Sequence, residues 1–209
     1  MKLPNLFLAA AALATCAQAT PAAAPPRDLG LGLSYYRVHE LPRDFPASAK
    51  GPAGPCVLDL RFATADEPSC AAVAAWIRFN SSAHTPVFVL ENPSTSPALV
   101  AALPAGSPGL VIVAPRSAKL AADVAVAVSA ETDRKAYDAA EKGATLDSLL
   151  HDYPEKPRLD EAYLEKEHLS DSEELDDIAE RPGPPMPLVD ALLQRAVQLH
   201  RGLLALKRL

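Results

Sequence analysis

Five short apolar or alternating runs, separated by stretches with helical spacing, organise the first 150 residues of the chain. Leu33 to Leu41 alternates loosely and carries Tyr35, Tyr36 and Val38, which predicts a strand. Cys56 to Phe62 (CVLDLRF) predicts a second, apolar near its start, and a polar loop from Thr64 to Ser69 follows it. Pro86 to Leu90 (PVFVL), Leu110 to Val113 and Asp123 to Val128 (DVAVAV) complete the set. Between them, Ala71 to Phe79 places Val73, Trp76, Ile77 and Phe79 at helical spacings, with Ser69 as the expected N-cap and Asn80-Ser81-Ser82 as the stop. Pro97 to Leu103 predicts a short helix, and Glu131 to about Lys142 another with Ala136, Tyr137 and Ala140 inward. Strands apolar on both faces, alternating with short helices, predict an α/β domain over residues 33–150. Its mostly parallel or mixed sheet would have about 4–5 strands covered by short helices.

Beyond Leu150 the pattern changes. From His151 to Arg181 there are 12 acidic and 4 basic side chains, and Leu159, Leu164, Leu169, Leu175 and Ile178 are too sparse to pack a core. Residues 151–187 therefore read as an acidic, solvated extension, broken by Pro182-Gly183-Pro184-Pro185. Leu188 to Leu209 predicts an amphipathic C-terminal helix. Val189, Leu192, Ala196, Leu199, Leu203 and Leu206 follow a 3,4 spacing, and Arg195, Arg201, Lys207 and Arg208 face a single acid, Asp190. Three uses fit such a helix: docking on its own domain, self-association or pairing with another helix, and lying on a membrane surface, for which it lacks an aromatic anchor.

The first residues add a location. Lys2, an apolar stretch from Leu6 to Thr15 and the small-x-small triplet Ala17-Gln18-Ala19 form a secretory signal pattern over residues 1–19. The stretch is too short for a membrane anchor. A lipobox reading of Leu13-Ala14-Thr15-Cys16, with a lipid on Cys16, is the only route to membrane attachment at this end. Residues 20–32, rich in Ala and Pro, read as a tether. The expected localisation is export, periplasmic or secreted. Export leaves Cys56 and Cys70. Cys56 opens a strand and Cys70 opens the following helix, so seven strand residues at ~3.3 Å each would separate them by far more than a disulfide spans. Two buried free thiols are expected.

Composition narrows the chemistry. A net charge of −6 and only 5% aromatic residues argue against nucleic acid as a partner, which requires clustered cations and stacking platforms. No HExxH, CxxC, P-loop or GxGxxG occurs, and the five His residues are scattered at 39, 84, 151, 168 and 200, so neither a metal nor a cofactor is called for. Asp171 to Asp177 lacks the glycine and ligand order of a calcium loop. Asn80-Ser81-Ser82 matches a glycosylation sequon.

The order of strands and loops carries one family likeness. Tyr35-Tyr36-Arg37-Val38, then Val57-Leu58-Asp59-Leu60-Arg61, then Thr85 to Asn92 before a Ser/Thr-rich turn, and later Ala122 to Val126, together resemble the core of carboxy-terminal processing (tail-specific) serine proteases. The resemblance spans about residues 33–150 and implies a crotonase-like layered core with a Ser nucleophile and a Lys base. Position by position it places the nucleophile at Ser94, with Ser96 as its neighbour, and the base at Lys119, 25 residues on. A desolvated Lys can take the proton from a Ser hydroxyl. The sequence departs from the family where backbone donors matter. Its glycine-rich oxyanion loop is replaced by Phe62-Ala63-Thr64-Ala65-Asp66-Glu67-Pro68, and no Gly occurs between Gly54 and Gly106. Each lost oxyanion donor costs roughly 2.7–4 kcal/mol in kcat. Gly-Lys-Gly around the family's base is Ala118-Lys119-Leu120 here, and no PDZ-like domain is present.

Three readings follow. The first is an exported, non-catalytic processing-protease-like domain, a pseudoenzyme with a binding or assembly role and a protein or peptide partner. The second is an active Ser/Lys hydrolase with a rearranged oxyanion hole. The third is an unrelated secreted α/β domain, for instance rhodanese-like, for which neither Cys56 nor Cys70 lies in the required loop. Outside the resemblance, Ser94 to Ser96 read as turn and N-cap chemistry, Lys119 as a loop lysine, and Asp59 and Arg61 as structural polar groups at a strand end. A Ser94, His84 and Asp59 triad can be drawn, with nothing in the sequence to bring His84 near the others.

Overall fold

A computed structural model of the chain describes residues 25–45, 54–116, 121–150 and 187–209. The signal pattern with Cys16, Lys119 and the acidic stretch 151–186 lie outside the described residues. The elements in chain order are β1 (Arg27–Asp28), β2 (Ser34–Arg37), β3 (Cys56–Asp59), α1 (Glu67–Asn80), β4 (Val87–Leu90) and α2 (Pro97–Ala102). They continue with β5 (Leu110–Pro115), β6 (Val124–Val126), α3 (Ala130–Glu141), α4 (Leu146–Leu150) and α5 (Ala191–Ala205). The architecture is α/β, with one six-stranded mixed sheet in the order β1-β2-β3-β4-β5-β6. β1 is antiparallel to β2, and β2 to β6 are all parallel. The sixth strand, β1, is a two-residue edge pair within the stretch assigned to the tether on composition.

Consecutive strand order gives the sheet two distinct faces. The apolar runs of β3, β4 and β5 alternate between them, as the pleat requires. Cys56, Leu58, Val87, Val89, Leu110 and Ile112 pack with Val73, Trp76 and Ile77 of α1 and Leu99 of α2. Val57, Phe88, Leu90 and Val113 pack with Leu192, Leu193, Ala196 and Val197 of α5 on the other side. Both faces are therefore buried, which is why these strands read as continuous apolar runs. Cys56 and Cys70 are free and buried in the first cluster, where burial pushes the Cys56 thiol up to about 12.

Two helix boundaries differ from the sequence reading. α1 starts at Glu67, and its cap is Asp66, whose carboxylate accepts the Ser69 amide. Ser69 is in the first turn because an acidic cap followed by Glu67 and Pro68 already suits a helix N-terminus. Phe79, placed on the inner face by spacing, is 79% exposed, whereas Val73, Trp76 and Ile77 are buried. α5 starts at Ala191, capped by Asp190, and docks on its own domain. It buries Leu192, Leu193, Ala196, Val197 and His200, so the contact is rotated off the 3,4 stripe. Leu199 and Leu203 are half-buried, and Leu206 is 71% exposed.

Candidate functional site

The carboxyl ends of parallel strands are where α/β folds gather their polar groups, and here β3, β4 and β5 end together. β3 ends at Asp59, on the α5 side of the sheet beyond Val57. After it the chain turns through Leu60 and Arg61 to Phe62, whose φ of +61° is in the left-handed region. That conformation costs a non-glycine residue roughly 1–2 kcal/mol. The turn buries Arg61 completely and packs the Phe62 ring on Tyr137, with centroids 4.7 Å apart.

Arg61 is the centre of a buried ion network. Its Nε and Nη2 donate to the two oxygens of Asp59 at 3.0 and 2.7 Å. Nη1 and Nη2 donate to the two oxygens of Asp190 at 3.0 and 2.8 Å, and Nη1 also reaches Asp133 Oδ1 at 2.9 Å. Tyr35 donates its hydroxyl to Asp59 Oδ2 at 2.7 Å, and the Asn92 amide donates to Asp133 Oδ2 at 2.8 Å. Strands β2, β3 and β4 and helices α3 and α5 are thereby tied to one guanidinium. Burial alone would raise the Asp59 carboxyl, but the Arg61 charge, its hydrogen bonds and the Tyr35 hydroxyl outweigh it and hold that carboxyl below its usual range. Burial opposes the charge on Arg61 as well, and Asp190 and Asp59 overcome it and raise Arg61 well above its usual value.

Beside the network a cleft of about 270 Å³ opens between Phe62, Pro93, Ser94, Pro115, Ala130 and Arg134. Ser94 is exposed at it. No side chain among the described residues is hydrogen-bonded to its hydroxyl, and its amide donates to Asn92 Oδ1 at 3.0 Å. Ser96 is the N-cap residue of α2 and makes no side-chain cap bond there. The turn is held by Thr95, whose hydroxyl accepts the Asn92 amide at 3.0 Å and donates to the Leu60 carbonyl at 3.1 Å. His84 is exposed ahead of β4, at the opposite end of that strand from Ser94, and the Asp59 carboxylate is taken by Arg61 and Tyr35. The three do not form a triad.

Several amides around the cleft are already engaged. Ala63 donates to the Leu60 carbonyl at 3.0 Å, Thr64 to His39 at 3.0 Å, Thr95 to Asn92 at 2.9 Å and Ser96 to Ala63 at 3.1 Å. An oxyanion hole needs preorganised donors aimed at empty space, and these point into the protein's own carbonyls. No protein-family model matches the chain. No curated protein and no solved structure matches it either. Among the described residues, no group of three or more His, Cys, Asp or Glu could hold a metal ion, and no helix is long and apolar enough to cross a membrane.

Sequence reasoning singled out Asp59 and Arg61 but missed Tyr35, Asp133, Asp190 and Glu91 as polar members of the interior. Asp133 shares the inner face of α3 with Ala136, Tyr137 and Ala140, three, four and seven residues on, and that spacing was its signal. Asp190, the one acid beside a basic helix, was readable as a cap. Glu91 follows the apolar run of β4 and is 1% exposed, with no hydrogen-bond partner at either oxygen among the described residues. Burial, with Asp123 nearby, pushes its carboxyl up to about 7.

Proposed function

We propose that this is an exported, non-catalytic domain built on a processing-protease-like, crotonase-like layered core, with a role in binding or assembly. The single observation that carries the reading is the engagement of the amides of Ala63, Thr64, Ser94, Thr95 and Ser96 with acceptors inside the protein. A serine hydrolase without oxyanion donors loses most of its transition-state stabilisation. Ser94, moreover, has an exposed hydroxyl with no base hydrogen-bonded to it among the described residues. The interaction elements in this reading are the basic helix α5 and the acidic extension 151–187, and the partner is a protein or peptide.

Exposure of Ser94 at the cleft is the observation favouring the second reading, an active Ser/Lys hydrolase with Lys119 as base. Peptidase turnover on a panel of unstructured peptides separates the two. No turnover above the Ser94→Ala background is expected. Turnover that disappears in both Ser94→Ala and Lys119→Ala overturns the non-catalytic reading.

A further inference from the structure

At the end of α5 far from Asp190 the helix and the sheet leave a groove of about 310 Å³. Phe88 and Val111, near the starts of β4 and β5, form one wall, and Leu199, Leu203 and Leu206 form the other. This is where the rotation of α5 matters. The helix turns Leu193, Val197 and His200 into the protein and leaves half of its leucine stripe over the groove, with Leu206 71% exposed.

Gly202, in the interior of α5, also lines the groove. Glycine destabilises a helix interior more than any residue but proline, so its presence there calls for a reason in packing or backbone shape. Neither is found. A Cβ built at Gly202 meets nothing within 4 Å, and its φ is not in the left-handed region. What the missing side chain does is keep the groove open. Arg195, exposed, also lines the groove, and its one side-chain hydrogen bond among the described residues is to Gln198, at a marginal 3.5 Å. The one acid at the start of the helix, Asp190, is buried against Arg61 at the far end.

Size selects the occupant. At about 310 Å³ the groove is at the small end of small-molecule pockets and suits one alkyl chain, whereas a partner helix or a second copy needs on the order of 800 Å² of surface on each side. We propose that this groove binds the alkyl chain of a medium-chain fatty carboxylate, with the carboxylate at Arg195. The site is on the α5 side near the strand starts, on a helix that the proposed function counts among its interaction elements, and it shares no lining residue with the cleft at the strand ends.

Calorimetric titration of the full chain with decanoate below its micelle concentration tests the proposal, with decyltrimethylammonium as the same chain carrying the opposite charge. Saturable one-to-one binding of decanoate is expected. Gly202→Leu fills the groove and should weaken binding about tenfold or more while leaving the unliganded melting temperature unchanged or higher. Arg195→Glu, an exposed position that keeps the test open if Gly202→Leu folds poorly, should weaken decanoate and favour the ammonium. Absence of saturable decanoate binding overturns the proposal, as does an affinity untouched by either substitution. Sedimentation of the same samples supplies the remaining outcome: a two-copy species that Gly202→Leu dissociates would give the groove to a second copy and overturn the fatty-carboxylate assignment.

Discussion

Asp59 and the Glu91 region are one strand apart at the carboxyl edge of the sheet, and both hold a carboxylate removed from water. Asp59, on the α5 side, receives hydrogen bonds from Arg61 and Tyr35 and is held below the usual carboxylate range. Glu91, just beyond the end of β4, has no hydrogen-bond partner among the described residues and is pushed up to about 7. Both are shut off from solvent, and partners decide the charge. One side of the edge is an ionic clasp that joins distant elements, and the other is a carboxyl group whose surroundings favour its protonated form and move its titration up toward neutral pH.

The largest expected effect comes from removing the clasp's centre. Arg61→Met strands three buried carboxylates without their cation and should cost about 4 kcal/mol in urea unfolding. A loss below about 1 kcal/mol would mean that the carboxylates find protons or water, and that Asp59 and Glu91 do not differ as described. Next is the pH dependence of Glu91. Because its folded carboxyl titrates near 7, above the ordinary 4.5, the folded state holds the proton while the unfolded chain releases it. The stabilisation is complete below about 4.5, falls as pH rises and is gone above about 7. The span corresponds to roughly 3 kcal/mol. Glu91→Gln should remove that decline, leaving the variant more stable than the parent at pH 8, as read from unfolding midpoints between pH 4.5 and 8. Asp59 runs the other way: its contribution is present at neutral pH and lost in acid, as pH falls below its ordinary value of 3.8. The smallest effect tests how α3 is held. Ser129 caps α3 by accepting the Thr132 amide at 3.0 Å, and Ser129→Ala should cost about 1 kcal/mol. A loss well under that would show that Asp133, gripping Arg61 and Asn92, holds the helix without its cap.

Much of the α/β pattern was legible in the residues. The β4 strand is a continuous apolar run because helices cover both of its faces, and Ala136, Tyr137 and Ala140 face inward as their spacing requires. What resisted reading was non-local. Arg61 meets Asp133 and Asp190 at separations of 72 and 129 residues, and no local period announces such a meeting. The α5 stripe was correctly helical, but which side of it meets the sheet depends on the sheet. Ser94 and its turn were found through likeness to a motif, whereas the engagement of their amides depends on backbone geometry that side-chain identity does not encode.

The consecutive strand order also sets the sequence of assembly. Each parallel strand from β2 to β6 pairs with the one made just before it, so the sheet and its α1/α2 side can form as the chain lengthens. The opposite face has to wait. Phe88, Leu90 and Val113 stay uncovered, and Arg61 lacks its Asp190 partner, until a helix made some 80 to 130 residues later arrives. A chain stopped short of α5 would display an apolar sheet face with a half-matched charge at its edge, a signature that quality-control factors could recognise.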